Sequence, residues 1–109
     1  MSKLAAFEEL ALADSDVKFG FDNYDVLKKI GDVMREMREQ SAMSQIAVQE
    51  ASGISQGDIS RVETGSMERG PSILTLIRLA HSTGKRLVIG IEDADDEGLE
   101  GHQTRLMTF

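Results

Sequence analysis

The chain of 109 residues has no cysteine and 2 histidines. Without thiols, a disulfide framework and a thiolate metal site are both excluded, and two histidines far apart cannot close a zinc site alone. No metal or other cofactor is expected, and a cysteine-free chain fits a reducing cytoplasm. Long apolar runs are also missing. None approaches the roughly 20 residues that cross a bilayer, and the start lacks the basic and apolar regions of an export signal, so a soluble, unexported protein is expected. Net positive charge is missing too: the formal charge of -7 argues against nonspecific nucleic-acid binding. So are catalytic motifs. No serine sits in a recognisable nucleophile motif with a histidine and a carboxylate, there is no glycine-rich phosphate loop, and the acidic run near the end lacks the spacing of a calcium loop. Enzymatic activity is not expected.

Where the charge sits is more informative than its sum. Residues 1–24 carry 2 basic and 5 acidic side chains, residues 25–92 carry 9 of each, and residues 93–109 carry 1 and 5. The middle is neutral on average and can carry a local basic patch, whereas phosphate would repel both ends. A chain of this length supports one small core with appendages. The division is therefore an acidic N-terminal extension over 1–24, a folded domain over 25–92, and an acidic, glycine-containing tail over 93–109 with no periodicity, expected to hold no regular structure.

Two short helical patterns meet at a glycine corner between Ser44 and Gly65. Ser44 can cap a first helix with Val48 on its inner side, and Gly53 stands where the chain must leave that helix through a positive φ. Ile54 plugs the corner. Ser55 is a second N-cap, Ile59 and Val62 lie three apart on the inner side of the second helix, and Gly65 can end it in the left-handed conformation. The outer side carries Gln56, Gly57, Ser60, Arg61 and Thr64, small and polar as a face entering a DNA groove should be.

Around this corner other elements follow. Lys3 to Leu12 has helical amphipathic spacing, and from Asp14 to Tyr24 the apolar Val17, Phe19 and Phe21 alternate with polar or small residues. These aromatics either fold back on the core or form a partner-binding arm. Asn23 can cap a helix to about Gln40 with Val26, Leu27, Ile30, Val33, Met34 and Met37 as one apolar stripe, in which Gly31 permits close approach of another helix. Arg38 lies at the inner edge of that stripe, where a charge is usually paired. A turn-rich connection holding Arg69 leads to Ser72, which caps a helix burying Ile73, Leu74, Leu76, Ile77 and Ala80 before Gly84. Leu87, Ile89 and Ile91 then share one face of a strand. A lone strand cannot satisfy its own backbone, and in an otherwise helical chain the expected partner is the same strand of a second copy.

The spacing of Gln45, Val48, Gly53, Ile54, Ser55, Gln56, Ile59, Val62, Glu63 and Gly65 resembles that of the XRE (Cro-type) helix-turn-helix family. The acidic N-terminal extension, the run from Arg78 to Glu92, and Gln49 in place of the usual helix-packing alanine resemble the HigA-type antitoxins within it. Gln49, Gly57 and Ala42 depart from the family pattern. The resemblance implies a mainly α, five-helix, lambda-repressor-like domain with an N-terminal amphipathic extension and a short C-terminal β-strand pairing across a homodimer through Leu87, Ile89 and Ile91. It also implies a structural ion pair between Arg38 and Glu63. DNA contacts are expected from Ser44, Gln45, Ser55, Gln56, Gly57, Ser60, Arg61, Thr64 and Arg69, with Gln45 anchoring a phosphate. The implied partners are double-stranded operator DNA and a small basic mRNA-cleaving toxin of the HigB or RelE kind, bound by Phe7, Leu10, Val17, Phe19, Phe21 and Tyr24. The alternative is a stand-alone repressor without a toxin partner.

Overall fold

The computed structural model describes residues 23–93 and 105–109. Among them are four helices, α1 (Tyr24–Gln40), α2 (Gln45–Ser52), α3 (Gln56–Thr64) and α4 (Ile73–Ser82), and two strands, β1 (Val88–Ile91) and β2 (Arg105–Thr108). The domain thus shows four helices among the described residues rather than the five expected, and the amphipathic segment over residues 3–12 lies outside them.

Local chemistry sets most of the boundaries. Ser44 Oγ accepts from the Ala47 N–H at 3.0 Å, Ser55 Oγ from Asp58 at 3.2 Å and Ser72 Oγ from Thr75 at 3.1 Å, so three helices begin on a side-chain oxygen that satisfies an amide left unpaired by helical geometry. Gly53 and Gly65 end α2 and α3 at φ 77° and 71°. Asn23 does not cap α1 as expected: its ψ of 20° is not the extended value a capping side chain requires, and it makes no side-chain cap bond. Its carbonyl accepts from Leu27 N–H instead, at 3.0 Å. After α1 the chain turns at Ala42, the one non-glycine residue with positive φ (55°) among those described.

The core joins Met34 of α1, Val48 of α2, the corner residue Ile54, Ile59 and Val62 of α3, and Leu79 of α4. Around it pack the partly buried Ile30, Met37, Met43, Met67 and Leu76. The α1 and α3 backbones touch at Gly31, where an added Cβ would stand 2.3 Å from the Val62 carbonyl oxygen and 2.7 Å from that of Glu63. No side chain fits there. Two apolar stripes are narrower than expected. In α1 the buried side is Leu27, Gly31 and Met34, while Val26 and Val33, seven residues apart on a neighbouring face, are exposed. In α4 Leu79 and Ala80 are buried and Leu74 is 69% exposed, with Ile73 exposed beside it. A helix crossing the core at an angle buries only the part of its stripe that meets a neighbour.

The strand after α4 has a different partner from the one expected. β1 pairs antiparallel with β2 of the same chain, in the register Val88↔Thr108, Ile89↔Met107, Gly90↔Leu106 and Ile91↔Arg105. The end of the segment expected to lack regular structure is thus a strand, because β1 must pair its main-chain groups and residues 105–108 can supply the ladder. Phe109 N–H donates to the Leu87 carbonyl at 2.9 Å, so by antiparallel alternation Leu87, Ile89 and Ile91 direct their main-chain groups toward β2. Those of Val88 and Gly90 face the opposite edge. His81 Nε2 donates to the Phe109 main-chain oxygen at 2.8 Å, tying this end of the ribbon to α4.

Candidate nucleic-acid interface

The outer face of α3 is presented by what its inner face buries. Ile59 and Val62 are almost fully buried, as is Glu63 at 2% exposure. A buried carboxylate in a nine-residue helix needs partners, and it has them. Arg38 donates to it twice, Nε to Oε2 at 2.7 Å and Nη2 to Oε1 at 2.9 Å, while Arg38 Nη1 donates to the Met43 carbonyl at 2.9 Å. Gln45 Nε2 donates to Glu63 Oε1 at 3.2 Å, and Arg35 Nε lies 3.6 Å from the same oxygen. Burial alone would raise the Glu63 carboxyl above its usual range. The hydrogen bonds from Arg38 and Gln45, with the charges of Arg38 and Arg35, outweigh it and hold the group below that range. Hydrogen bonding to Glu63 correspondingly outweighs burial at Arg38 and raises that guanidinium.

The same network reaches the outer surface. Gln45 Oε1 accepts from Gln56 Nε2 at 2.7 Å, so the first side chain of α3 is tied through Gln45 to the buried ion pair. One turn and a half later, the exposed Arg61 donates to Asp58 and its guanidinium lies back over Gly57. Gln56, Arg61 and Thr64 are exposed, with Ser60 and Gly57 half-buried between them. Thr64 Oγ1 donates to the Ser60 carbonyl at 2.9 Å and lies 2.8 Å from Ser66 Oγ. Ser44 and Ser55 use their oxygens as caps, which leaves each hydroxyl hydrogen for an outside acceptor. Arg69 sits with Asp58, Arg61, Ser66, Met67 and Glu68 along an open groove beside α3.

These positions bring together Ser44, Gln45, Ser55, Gln56, Gly57, Ser60, Arg61, Thr64 and Arg69 along the surface of α3 and its flanks. Gln45 is placed differently from a simple phosphate anchor, since both ends of its carboxamide are engaged within the protein. Phe7, Leu10, Val17, Phe19 and Phe21 lie outside the described residues, and Tyr24 is exposed at the start of α1. Sequence reasoning missed Arg35, whose only signal was its place three residues before Arg38 on the same helix face. It also missed the bond between Gln49 Oε1 and the main-chain N–H of Gln56, at 2.7 Å.

Among the described residues no cluster of histidine, aspartate and glutamate could hold a metal ion, and no helix is long and apolar enough to cross a membrane. The chain matches no curated protein and no solved structure at a significant level. It does match a family model described as helix-turn-helix over residues 34–89, from the middle of α1 into β1 and just over half of its length. The chain therefore belongs to the XRE-type helix-turn-helix family of DNA-binding transcriptional regulators.

Proposed function

We propose that the protein is a dimeric antitoxin that represses its own operon and neutralises a small basic toxin that cleaves messenger RNA. The observation that carries the DNA half is the outer face of α3, on which Gln56 and Arg61 are both held by neighbours, the first by Gln45 and the second by Asp58. A side chain already held in place loses less freedom on binding. In the major groove the Gln56 carboxamide suits adenine and the Arg61 guanidinium suits guanine. Two such helices must stand about 34 Å apart to read successive turns of one face of the duplex, which requires two copies. The edge of β1 at Val88 and Gly90 suits a two-fold dimer in which the strand order runs β2, β1, β1, β2 across both chains. Leu87, Ile89, Ile91, Met107 and Phe109 would then line one continuous apolar face.

The toxin half is supported by composition. Residues 1–24 combine acidic charge with Phe7, Phe19, Phe21 and Tyr24, and an acidic surface is the electrostatic complement of an RNA-binding protein. Such a protein acts in the cytoplasm, where its operator and the ribosome are. Deleting residues 2–22 and coexpressing the remainder with the small basic protein that copurifies from the native host tests the assignment. Loss of neutralisation with retained gel shifts on the protein's own promoter is expected. Retained neutralisation would place the toxin contact on the helical core. The second reading, a stand-alone repressor, is favoured by the fact that, among the described residues, Arg35, Arg38 and Gln45 of the helical core already supply the partners that hold Glu63 and Gln56 of α3. Absence of any copurifying basic protein would select it.

A further inference from the structure

Three glutamines meet where α2 runs into α3. Gln56 is held at two points, its side-chain amide by Gln45 Oε1 and its main-chain N–H by Gln49 Oε1, both at 2.7 Å. The two holds differ in kind. Gln45 turns the carboxamide, whereas Gln49 grips the backbone from which that carboxamide grows.

The N–H groups in the first turn of a helix lack partners within it. In α3 the Asp58 N–H is taken by the local cap Ser55, and Ile59 N–H bonds the Ser55 carbonyl at 2.9 Å. Gln56 N–H is taken instead by a side chain of the preceding helix, seven residues back and across the corner at Gly53. A local cap fixes the helix end relative to its own flanking residue. A bond across the corner fixes the start of α3 relative to α2, and so the position from which Gln56 reaches out. With one of its side-chain N–H groups on Gln45, Gln56 keeps an acceptor oxygen and a second N–H, the pair that the N6 and N7 atoms of adenine require.

We infer that Gln49 is a positioning residue for sequence specificity: by holding the main chain of Gln56 across the α2–α3 corner, it sets the placement of the Gln56 carboxamide and hence its preference for one base pair. This rests on α3 being the helix that enters the groove. A purely structural contact would affect all DNA sequences alike. A positioning contact affects discrimination at one base pair while sparing the rest of the site.

The test is selection from a random duplex DNA library with the full-length chain, its Gln49→Ala, Gln49→Glu and Gln56→Ala variants, with thermal unfolding of each measured alongside. The unsubstituted protein should enrich a site with a strong adenine preference at one position of each half, and Gln56→Ala should erase it. Gln49→Ala should keep the rest of the site but weaken that preference about tenfold, within the range of one bidentate contact. Gln49→Glu, whose carboxylate can accept the same N–H, should restore the preference while lowering affinity at low salt through its charge near phosphate. If Gln49→Ala weakens binding equally for every base, or leaves the preference unchanged, the inference is overturned and α3 still reads DNA. If no site is enriched, or Gln56→Ala leaves the enriched site unaltered, the groove assignment of α3 falls and the inference falls with it.

Discussion

The helical core and the β-ribbon of this protein solve the same problem in opposite ways. Each must satisfy buried or main-chain polar groups with few residues. The core does so internally, wrapping Glu63 with Arg38, Arg35 and Gln45 and bringing the α1 and α3 backbones into contact at Gly31. The ribbon pairs one edge of β1 and leaves much of its apolar surface in water: Ile91 and Leu106 are each 65% exposed, and every residue of β2 is exposed. Two strands alone are marginal in water. The difference separates a core whose buried polar groups find partners within the helices from a ribbon whose apolar faces and second β1 edge stay exposed.

Breaking the core should have the largest effect. Arg38→Ala strands a buried carboxylate and should cost about 3 to 5 kcal/mol, a large part of a small domain's stability, read by denaturant unfolding. The pH dependence follows from the same pair. Because folding lowers the Glu63 carboxyl, its contribution is complete above its unfolded value of about 4.3 and is lost as the pH falls through the lower folded value. The unsubstituted protein should therefore lose stability on the acid side of pH 4, and Arg38→Ala should flatten that dependence.

Gly31→Ala comes next. Its methyl group would meet the main chain of Val62 and Glu63 rather than a side chain able to yield, so α1 and α3 must separate, at a cost of about 3 kcal/mol. A glycine in a helix ordinarily gains from replacement by alanine, so an unchanged or raised Tm would place the crossing elsewhere.

Ala42→Gly works in the other direction. At φ 55° a side chain is strained, and glycine relieves it at some cost in unfolded-state entropy, for a net gain of about 0.5 to 1 kcal/mol in Tm-derived stability.

Smallest for the core, and sharpest for the comparison, is Gly90→Pro. It removes a main-chain donor from the edge of β1 that faces away from β2, leaves the helices untouched, and should change their unfolding by less than about 0.5 kcal/mol. On the proposed dimer, sedimentation should nonetheless show the substituted chain as monomers and the unsubstituted chain as dimers. A surviving dimer would move the interface to another surface, such as the exposed Ile73 and Leu74 of α4.

What could be read from the sequence follows the same division. The α2–α3 corner was legible at Ser44, Gly53, Ile54, Ser55 and Gly65 because a cap or a positive φ is decided within a few residues. Gly31 was legible as a close approach because a glycine inside a helical stripe needs a reason. The partner of β1 was not, since pairing across an intervening segment leaves no local periodicity, and Leu106 to Phe109 are too few to show alternation. Nor was the exposure of Val26, Val33, Ile73 and Leu74, which depends on the angle at which helices cross. In the candidate interface, the residue types along α3 were readable from spacing, but the double engagement of Gln45 and the reach of Gln49 across the corner depend on side-chain placement that spacing does not encode.

The proposed recognition of base edges by α3 rests on Gln56 and Arg61. It is tested most directly by measuring the affinity of Arg61→Ala for the protein's preferred duplex and for variants changed at single base pairs. The expected result is a loss of guanine preference at one position per half-site, with about 1 to 3 kcal/mol of discrimination removed and the other positions unaltered. Unchanged discrimination at every position would contradict it.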